Sequence, residues 1–293
     1  MSDTLLIINQ KAGRGTPGNN IIKIVDAFSQ KGLMPEIYLT QSKGDAFHIA
    51  KQKASEYKKI VCYGGDGTLD EVTSGILKSG SRPIVGYIPA GSTNDFAKSL
   101  ELPDEPDKAA EIAISGREFA CDIGALNGDY FVYVAAFGLF TEVSYKTDQD
   151  MKNLLGHMAY ILEGAKSLFD IRPYSLKIEL DDELIEDNFI FGMISNSRSV
   201  GGFKNITGTD IEFDDGKFEV VLIKHPRNAI ELNRIIPNLL TQKSDDLVYF
   251  RKASNIKIIS DTEVAWTLDG EDGGKHTEAE ISVYNRMIDI LVP

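Results

Sequence analysis

Three glycines, one carboxylate and one hydroxyl follow each other in residues 64–68, the sequence GGDGT. The segment comes after an apolar run that predicts a strand and before residues with helical spacing. Glycines let the backbone approach a ligand closely and direct successive N–H groups at phosphate oxygens, and the following helix adds the positive end of its dipole. A tight turn with Asp66 as helix N-cap is the alternative. The segment predicts a polyphosphate site in which Asp66 orients the phosphates through Mg²⁺.

Two acidic turns in the second half of the sequence supply further carboxylates. Glu271 lies in residues 269–271 (DGE), directly after a predicted strand, where a carboxylate can take the proton of a hydroxyl as its oxygen attacks phosphorus. Asp215 lies in residues 214–216 (DDG) and, with nearby carbonyl groups, could hold Mg²⁺, since hard cations prefer oxygen ligands. Each turn also has the plainer interpretation of a solvated chain reversal. Glu271 is the predicted general base, and Asp215 is a candidate metal ligand.

The first 100 residues contain the elements that must position these groups. Short apolar runs alternate with segments of helical spacing, which is typical of a parallel sheet covered by helices on both faces. Because ligands bind outside the carboxyl ends of strands in open α/β sheets, we expect the residues that end each strand to line one site. The predicted strands are residues 4–8, 35–39, 60–63 and 84–88, ending on Asn9, Thr40, the segment 64–68 and the segment 89–95.

From about residue 120 the pattern changes to strands separated by acidic or glycine-containing turns, which predicts an antiparallel sandwich or barrel. We therefore expect an α/β domain over residues 1–122 and an all-β domain over residues 123–293, whose last strand packs back on the first. A helix at 151–169 carries an apolar stripe for the core or for an acyl-chain pocket. The predicted strands are 131–136, 174–180, 189–195, 217–223, 256–259, 264–268 and 281–284, with a second helix at 226–240.

Composition limits the classes of function. The net charge of −13 argues against nucleic-acid binding and against broad adsorption to an anionic membrane, so that any lipid contact must be local. No apolar run approaches the roughly 18 to 20 residues that span a bilayer. Cys62 and Cys121 lie in apolar runs and are expected to be buried, reduced thiols. These features predict a cytoplasmic protein.

Other phosphate-binding patterns fit poorly. Residues 13–18 (GRGTPG) match G-x-G-x-x-G, but the first glycine lies four residues beyond Asn9, and the second strand ends on Thr40 instead of the carboxylate that would hold a ribose. The sequence has no G-x-x-x-x-G-K-[ST] segment and no protein-kinase H-R-D or D-F-G motif. A nicotinamide dehydrogenase, a P-loop enzyme and a protein kinase are therefore disfavoured.

Four motifs occur together: residues 64–68 (GGDGT), 91–97 (GSTNDFA), 214–216 (DDG) and 269–271 (DGE). In this order and spacing they resemble the diacylglycerol kinase catalytic-domain family of bacterial lipid kinases, which also includes sphingosine and ceramide kinases. The likeness covers nearly the whole chain. The first motif is shared with NAD kinases and phosphofructokinases, whereas the second is the discriminating one.

The resemblance implies an N-terminal nucleotide domain and a C-terminal β-sandwich, with ATP and a lipid meeting in the cleft between them. It implies that Asp66 and Asp95 serve the phosphates and the catalytic metal, and that Glu271 accepts the proton. It also implies a structural Mg²⁺ site at Asp215 with the main chain of Glu212 and Lys217. The residues that it places in contact with ATP are Asn9, Lys11, Ala12, Gly13, Arg14, Gly15, Thr40, Gly64, Gly65, Asp66, Gly67, Thr68 and Ser92.

Three positions depart from the family pattern. Gln10 stands where proline is common, Ser92 replaces a threonine but keeps a hydroxyl, and Tyr133 stands where asparagine is common. The catalytic groups are all present, and Tyr133 is expected to alter the lining near the acceptor. Two other functions stay open, namely an NAD kinase and a nucleotide-binding sensor that has lost catalysis.

The expected partner is a membrane lipid, reached by peripheral and transient contact with the inner face of the membrane. Diacylglycerol, phosphatidylglycerol and sphingoid bases all present a hydroxyl beside acyl chains. Basic residues gather around the helix predicted at 151–169, either to offset the acidic bulk at a membrane or as a solvated face. They are Lys146, Lys152, His157, Lys166 and Arg172. A homodimer is the expected assembly by the same resemblance.

Overall fold

The computed structural model describes residues 2–12, 17–139, 172–201, 203–204 and 211–293. The chain divides into two compact units, Met1–Cys121 together with Arg286–Pro293, and Asp122–Asn285. The predicted fold class, α/β followed by all-β, is confirmed. The helix predicted at 151–169, with the basic residues from Lys146 to Lys166, lies outside the described residues, and so do Gly13, Arg14 and Gly15.

The first unit is built on a parallel sheet in the order β4, β3, β1, β2. Its elements are β1 (Thr4–Ile8), α1 (Pro17–Gln30), β2 (Glu36–Leu39), α2 (Asp45–Lys53), β3 (Lys59–Gly64), α3 (Asp66–Ser79), β4 (Ile84–Pro89), α4 (Asp95–Ser99) and α5 (Pro106–Ser115). Ile7 of β1 lies between Tyr38 of β2 and Cys62 of β3. The end of the chain joins this sheet, since Ile290 pairs in parallel with Val85 of β4.

The strands of the first unit are apolar on both faces because helices cover both faces. In β1 every residue from Leu5 to Ile8 is at most 1% exposed. Helices α1 and α5 pack on one face through Phe28 and Ala113, which share a core with Val61 and Ile88. Cys62 and Cys121 are both buried. The sheet is therefore a rigid base for the segments that follow its strands.

The second unit is antiparallel. Its elements are β5 (Arg117–Leu126), β6 (Asp129–Phe131), β7 (Val134–Gly138), β8 (Tyr174–Leu180), β9 (Glu183–Ser195), β10 (Ser199–Val200), β11 (Phe203–Lys204), β12 (Phe218–Lys224), α6 (Ala229–Thr241), β13 (Val248–Ala253), β14 (Asn255–Leu268) and β15 (Glu271–Val292), of which β5 and β15 continue into the first unit. The long strands β9 and β14 each pair with β8 at one end and with β7 at the other. They thus enclose one core between two layers.

Aromatic side chains fill that core. The rings of Phe137 and Trp266 lie 4.9 Å apart between centroids, and both side chains are buried. Gly192 lies opposite Phe137 on the neighbouring strand, and a Cβ at Gly192 would overlap the Phe137 ring. Glycine is needed here because the ring lies directly over the backbone of the adjacent strand.

Three predicted strand boundaries were wrong for identifiable reasons. The strand predicted at 131–136 is broken at Val132 and Tyr133, because their N–H groups donate to the carboxylate of Asp269 instead of to a neighbouring strand. The two strands predicted at 256–259 and 264–268 form one strand, β14, with a register shift between Ile259 and Val264. The strand predicted at 281–284 is part of β15, which has 22 residues.

Among the helices that the structure describes, none combines the length and the apolar character needed to cross a lipid bilayer.

Candidate functional site

The segment after β3 turns sharply from strand to helix. A Cβ at Gly64 would lie 2.5 Å from the side chain of Thr68, so a larger residue cannot occupy this position without moving the helix. Gly65 is the N-cap of α3, and its carbonyl accepts the N–H groups of Thr68 and Leu69 at 2.9 and 3.1 Å. The strand therefore delivers the chain directly into the first turn of α3, the geometry that a phosphate cradle needs.

The segments that follow β3 and β4 touch through their backbones. A Cβ on Gly65 would come within 3.1 Å of the Cα of Gly91, and a Cβ on Gly91 within 2.7 Å of the Cα of Gly65. Asn94, in the left-handed conformation at φ 53°, accepts the Gly91 N–H at 2.8 Å and donates to the Gly91 carbonyl at 3.2 Å. The two glycine segments thus form one continuous surface of main chain.

Substitution of either glycine by alanine should separate these two segments. We expect Gly91→Ala to lower stability by about 1–3 kcal/mol and to raise the KM for ATP, because the added methyl group is overpacked against main chain. Gly65→Ala should have the same effects to a smaller degree, since its contact is longer at 3.1 Å. Thermal unfolding and ATP saturation curves measure both. Equal KM values in the wild type and in Gly91→Ala would show that the contact does not shape the nucleotide site.

Asp66 ties the first residue of α3 to the start of α4. Its carboxylate accepts the backbone N–H of Asp95 at 3.0 Å and that of Phe96 at 3.3 Å. Asp95 itself is fully buried. Burial, followed by the charges of Asp66 and of other nearby acidic groups, raises the pKa of the Tyr87 phenol well above its ordinary value. The structure therefore brings Asp66 and Asp95, the two carboxylates predicted to serve the phosphates, together at one end of the sheet.

The ends of β1 and β2 complete this edge. The Asn9 side chain donates to the Thr68 hydroxyl at 2.9 Å and accepts the Lys11 N–H at 3.0 Å. Thr40 donates its N–H to the Ile8 carbonyl at 2.9 Å. Of the residues predicted to contact ATP, the described ones thus lie at or beside the carboxyl ends of the four parallel strands, with Ser92 exposed and Ala12 buried. Their contact with a nucleotide stays a prediction.

Glu271 belongs to the second unit. Asp269 and Gly270 are the two loop residues between β14 and β15, with φ values of 50° and 86°, and Leu268 pairs with Glu271 across the loop. Two successive residues with positive φ are the signature of a type I′ hairpin, which Asp-Gly favours. Glu271 is therefore the first strand residue after a short, well-defined turn, and its side chain is exposed.

Asp269 fixes that turn to the strand beside it. Its buried carboxylate accepts the N–H groups of Val132, Tyr133 and Val134 at 2.5, 3.0 and 2.9 Å, and its own N–H donates to the Val134 carbonyl at 2.8 Å. Interpretation of the sequence identified the DGE motif but missed this role, because the partners lie about 135 residues earlier in the chain. Asp269 positions the residue predicted to be the base.

Asp269→Asn tests this positioning. An amide retains the backbone conformation but offers one acceptor oxygen to three N–H groups, so we expect a loss of about 1–3 kcal/mol in stability and a lower kcat. Asp272→Asn changes an exposed residue that accepts the N–H of Gly274. It is the matched control and should change stability by less than about 0.5 kcal/mol. Thermal unfolding and steady-state kinetics compare the two. If both variants behave alike, Asp269 does not hold the turn.

The turn at residues 214–217 is held by side chains from distant parts of the second unit. The Gly216 N–H donates to Asp122 at 2.6 Å, and the Gly216 carbonyl accepts the Ser254 hydroxyl at 2.7 Å. Asn285 donates to both Asp122 and the Asp214 carbonyl at 2.9 Å. Asp122 is fully buried, and it was missed from the sequence although a carboxylate inside an apolar run is a signal of such a role.

Asp215 supplies the side chain of the structural Mg²⁺ site that the resemblance implies, and both of its oxygens have partners within the chain. One oxygen of Asp215 accepts the Lys217 N–H at 2.9 Å, and the other lies 3.5 Å from the Lys252 ammonium. Glu212 is exposed. In the part of the chain that the structure describes, no group of three or more His, Cys, Asp or Glu side chains is arranged to hold a metal ion. The described side chains near Asp215 thus do not form a metal site by themselves, and the main-chain ligands at Glu212 and Lys217 stay a prediction.

Asp66 and Asp95 present a different case. Magnesium in nucleotide sites is commonly held by one or two carboxylates together with the phosphates themselves. Asp66 is partly exposed at the end of the phosphate cradle, whereas Asp95 is fully buried beneath it, and the role of both carboxylates toward Mg-ATP stays a prediction.

Comparison with known proteins agrees with these motifs. Residues 3–126 match the family described as diacylglycerol kinase catalytic domain, and residues 134–292 match the family described as YegS C-terminal NAD kinase beta sandwich-like domain. A diacylglycerol kinase of Bacillus subtilis (strain 168) is 33% identical over 297 residues, which cover 100% of this chain and 97% of the relative. A diacylglycerol kinase of Staphylococcus epidermidis (strain ATCC 35984) is 34% identical over 270 residues, 89% of this chain and 84% of the relative.

A solved structure has the same fold over its whole length. A crystal structure from Bacillus anthracis str. Sterne, provisionally described as a diacylglycerol kinase, superposes with a TM-score of 0.85 at 26% identity and covers 100% of this chain and 97% of its own. The likeness thus extends across both units and includes the segments that carry the four motifs. The chain belongs to the diacylglycerol kinase catalytic-domain family of lipid kinases.

Proposed function

We propose that this kinase transfers the γ-phosphate of ATP to the hydroxyl of a membrane lipid, and that diacylglycerol, which would give phosphatidic acid, is the acceptor. The observation that carries the proposal is the joined main-chain surface of Gly65 and Gly91, with Asp66 linking α3 to α4. The names of the relatives support diacylglycerol as the first acceptor to test.

The phosphates of ATP would lie against the backbone of residues 64–68, where N–H groups and the start of α3 offset the negative charge. Mg²⁺ bound to the nucleotide, with Asp66 and Asp95 as its protein ligands, would supply further neutralisation of the phosphate oxygens. These groups are held in place before the substrate arrives, by the hydrogen bonds from Asp95 and Phe96 to Asp66. Positioning and charge stabilisation are the main contributions of a protein to phosphoryl transfer.

In the transfer step the lipid hydroxyl oxygen forms a bond to the γ-phosphorus while the bond from that phosphorus to the bridging β,γ-oxygen breaks. The electron pair of the broken bond leaves with ADP. Glu271 is the proposed acceptor of the hydroxyl proton, because a carboxylate at the start of β15 follows a turn whose geometry Asp269 fixes.

Phosphate transfer from labelled ATP to a panel of lipids in mixed micelles, with NAD as an aqueous control, tests the proposal. We expect label in diacylglycerol. Label in another lipid would support the lipid kinase activity but identify a different acceptor. Label in NADP would favour the NAD kinase function, for which the description of the C-terminal match is the supporting observation. ATP binding without transfer to any acceptor would indicate a sensor.

We further propose that the enzyme reaches its substrate by peripheral and transient contact with the membrane. Sedimentation with vesicles of phosphatidylcholine, with and without an anionic lipid, measures this contact. Binding should increase with the anionic lipid and decrease with salt, since the net charge of −13 leaves only local basic groups to attract such a surface. Binding that ignores both variables would argue against electrostatic docking. A homodimer also stays a prediction, which the mass in solution would test.

A further inference from the structure

A lysine ammonium lies between two carboxylates of the second unit. The Lys252 Nζ is 3.1 Å from Oε1 of Glu219 and 3.5 Å from Oδ2 of Asp215. Lys252 and Glu219 stand directly opposite each other on the antiparallel strands β13 and β12. Both contacts thus follow from the register of the sheet, which places the side chain of Lys252 beside the turn that precedes β12.

Glu219 is the more deeply buried of the two carboxylates that face Lys252. Only 6% of the Glu219 side chain is exposed, and it stands in a strand next to the buried Ser195 of β9. A carboxylate withdrawn from water needs a nearby positive charge or a full set of hydrogen-bond donors. Lys252 provides that charge. It also balances Asp215, whose other oxygen is occupied by the N–H of Lys217.

The turn beside Lys252 keeps its shape without help from a metal. Its backbone groups are hydrogen-bonded to the side chains of Asp122, Ser254 and Asn285. A divalent cation on the open side of Asp215 would stand close to the Lys252 ammonium, and two positive charges a few ångströms apart repel strongly in a partly buried site. The Lys252 ammonium already lies 3.5 Å from the Asp215 oxygen that does not accept the Lys217 N–H.

We propose that Lys252 is a built-in cation that takes, between Asp215 and Glu219, the place of the divalent metal expected from the family, and that Mg²⁺ binds there only when this ammonium is removed. The replacement of a metal ion by Lys252 affects the stability of the second unit. It does not depend on the identity of the acceptor lipid. The experiment can therefore contradict this proposal without contradicting the proposed function.

Thermal unfolding of nucleotide-free protein in increasing MgCl₂, against NaCl of equal ionic strength, tests the proposal. The wild type should show no saturable Mg²⁺ effect at this site. Lys252→Met should unfold at a lower temperature without metal, because two carboxylates lose their counter-charge. Mg²⁺ should then raise its melting temperature by about 5 °C or more at a hundred times the dissociation constant.

Two further variants isolate the position of the cation. Lys252→Arg keeps the positive charge and should behave like the wild type, whereas Lys252→Met combined with Asp215→Asn should lose the response to Mg²⁺. Binding of Mg²⁺ near Asp66 and Asp95 would affect all variants alike and is removed by comparing them. If Lys252→Met does not fold, its combination with Glu219→Gln removes the buried charge and leaves Asp215 as the metal ligand.

Either of two results would overturn the proposal. A saturable Mg²⁺ stabilisation of the wild type that Asp215→Asn abolishes would mean that metal and lysine coexist. No response to Mg²⁺ in folded Lys252→Met, or in its combination with Glu219→Gln, would mean that the vacated position does not accept a divalent cation.

Discussion

Glu271→Gln should lower kcat about 10²- to 10⁴-fold, the range by which a general base contributes to proton transfer, while the KM for ATP stays within about twofold of the wild type. The amide has nearly the same shape as the carboxylate but cannot accept a proton. Because Glu271 is exposed at the start of β15, its substitution should change the free energy of unfolding by less than about 0.5 kcal/mol. Single-turnover transfer from labelled ATP to diacylglycerol separates the chemical step from binding.

The control is the same substitution at Glu263, an exposed residue in β14 of the same unit, which should retain full turnover. Comparison with Asp269→Asn adds a second distinction. Loss of the base lowers kcat alone, whereas loss of its positioning lowers both kcat and stability. Turnover near the wild-type level in Glu271→Gln would remove Glu271 as the proton acceptor and require another group in that role.

The first half of the fold could be predicted because each of its strands is marked by a short pattern of neighbouring residues. Parallel strands buried on both faces appear as short apolar runs, and their carboxyl ends must meet at one edge, so Asn9, Thr40 and residues 64–68 could be grouped from the sequence alone. What the sequence did not show is how closely the segments meet. The backbone contact of Gly65 with Gly91 depends on the packing of two loops, and glycine is compatible with many loop conformations.

The second half was harder because its decisive contacts are distant in sequence. The strand is interrupted at Val132 and Tyr133 because their N–H groups donate to Asp269, about 135 residues later in the chain. No pattern in the neighbouring residues indicates this interruption. The pairing of Lys252 with Glu219 and Asp215 depends on the register of β12 and β13. The acidic turn and the family resemblance suggested a metal at Asp215, but the sequence did not show that Lys252 lies beside the same carboxylate.

Asp66→Asn should reduce turnover about 10²-fold or more and should also lower stability by about 1–3 kcal/mol. The two effects have different origins. Turnover falls because the phosphates and their Mg²⁺ lose a negative oxygen ligand. Stability falls because the Asp95 and Phe96 N–H groups donate to separate carboxylate oxygens in the wild type and must share one amide oxygen in the variant. Steady-state kinetics at several Mg²⁺ concentrations, together with thermal unfolding, measures both.

Asp70→Asn, one turn further along α3, is the matched control and should change neither quantity appreciably. The dependence on Mg²⁺ distinguishes a ligand of Mg-ATP from a helix cap. If Asp66 only caps α4, Asp66→Asn should melt earlier yet reach half-maximal activity at the same Mg²⁺ concentration as the wild type. If Asp66 also serves the nucleotide metal, that concentration should rise, because removal of one charged oxygen ligand weakens the binding of a hard cation even where the fold is intact.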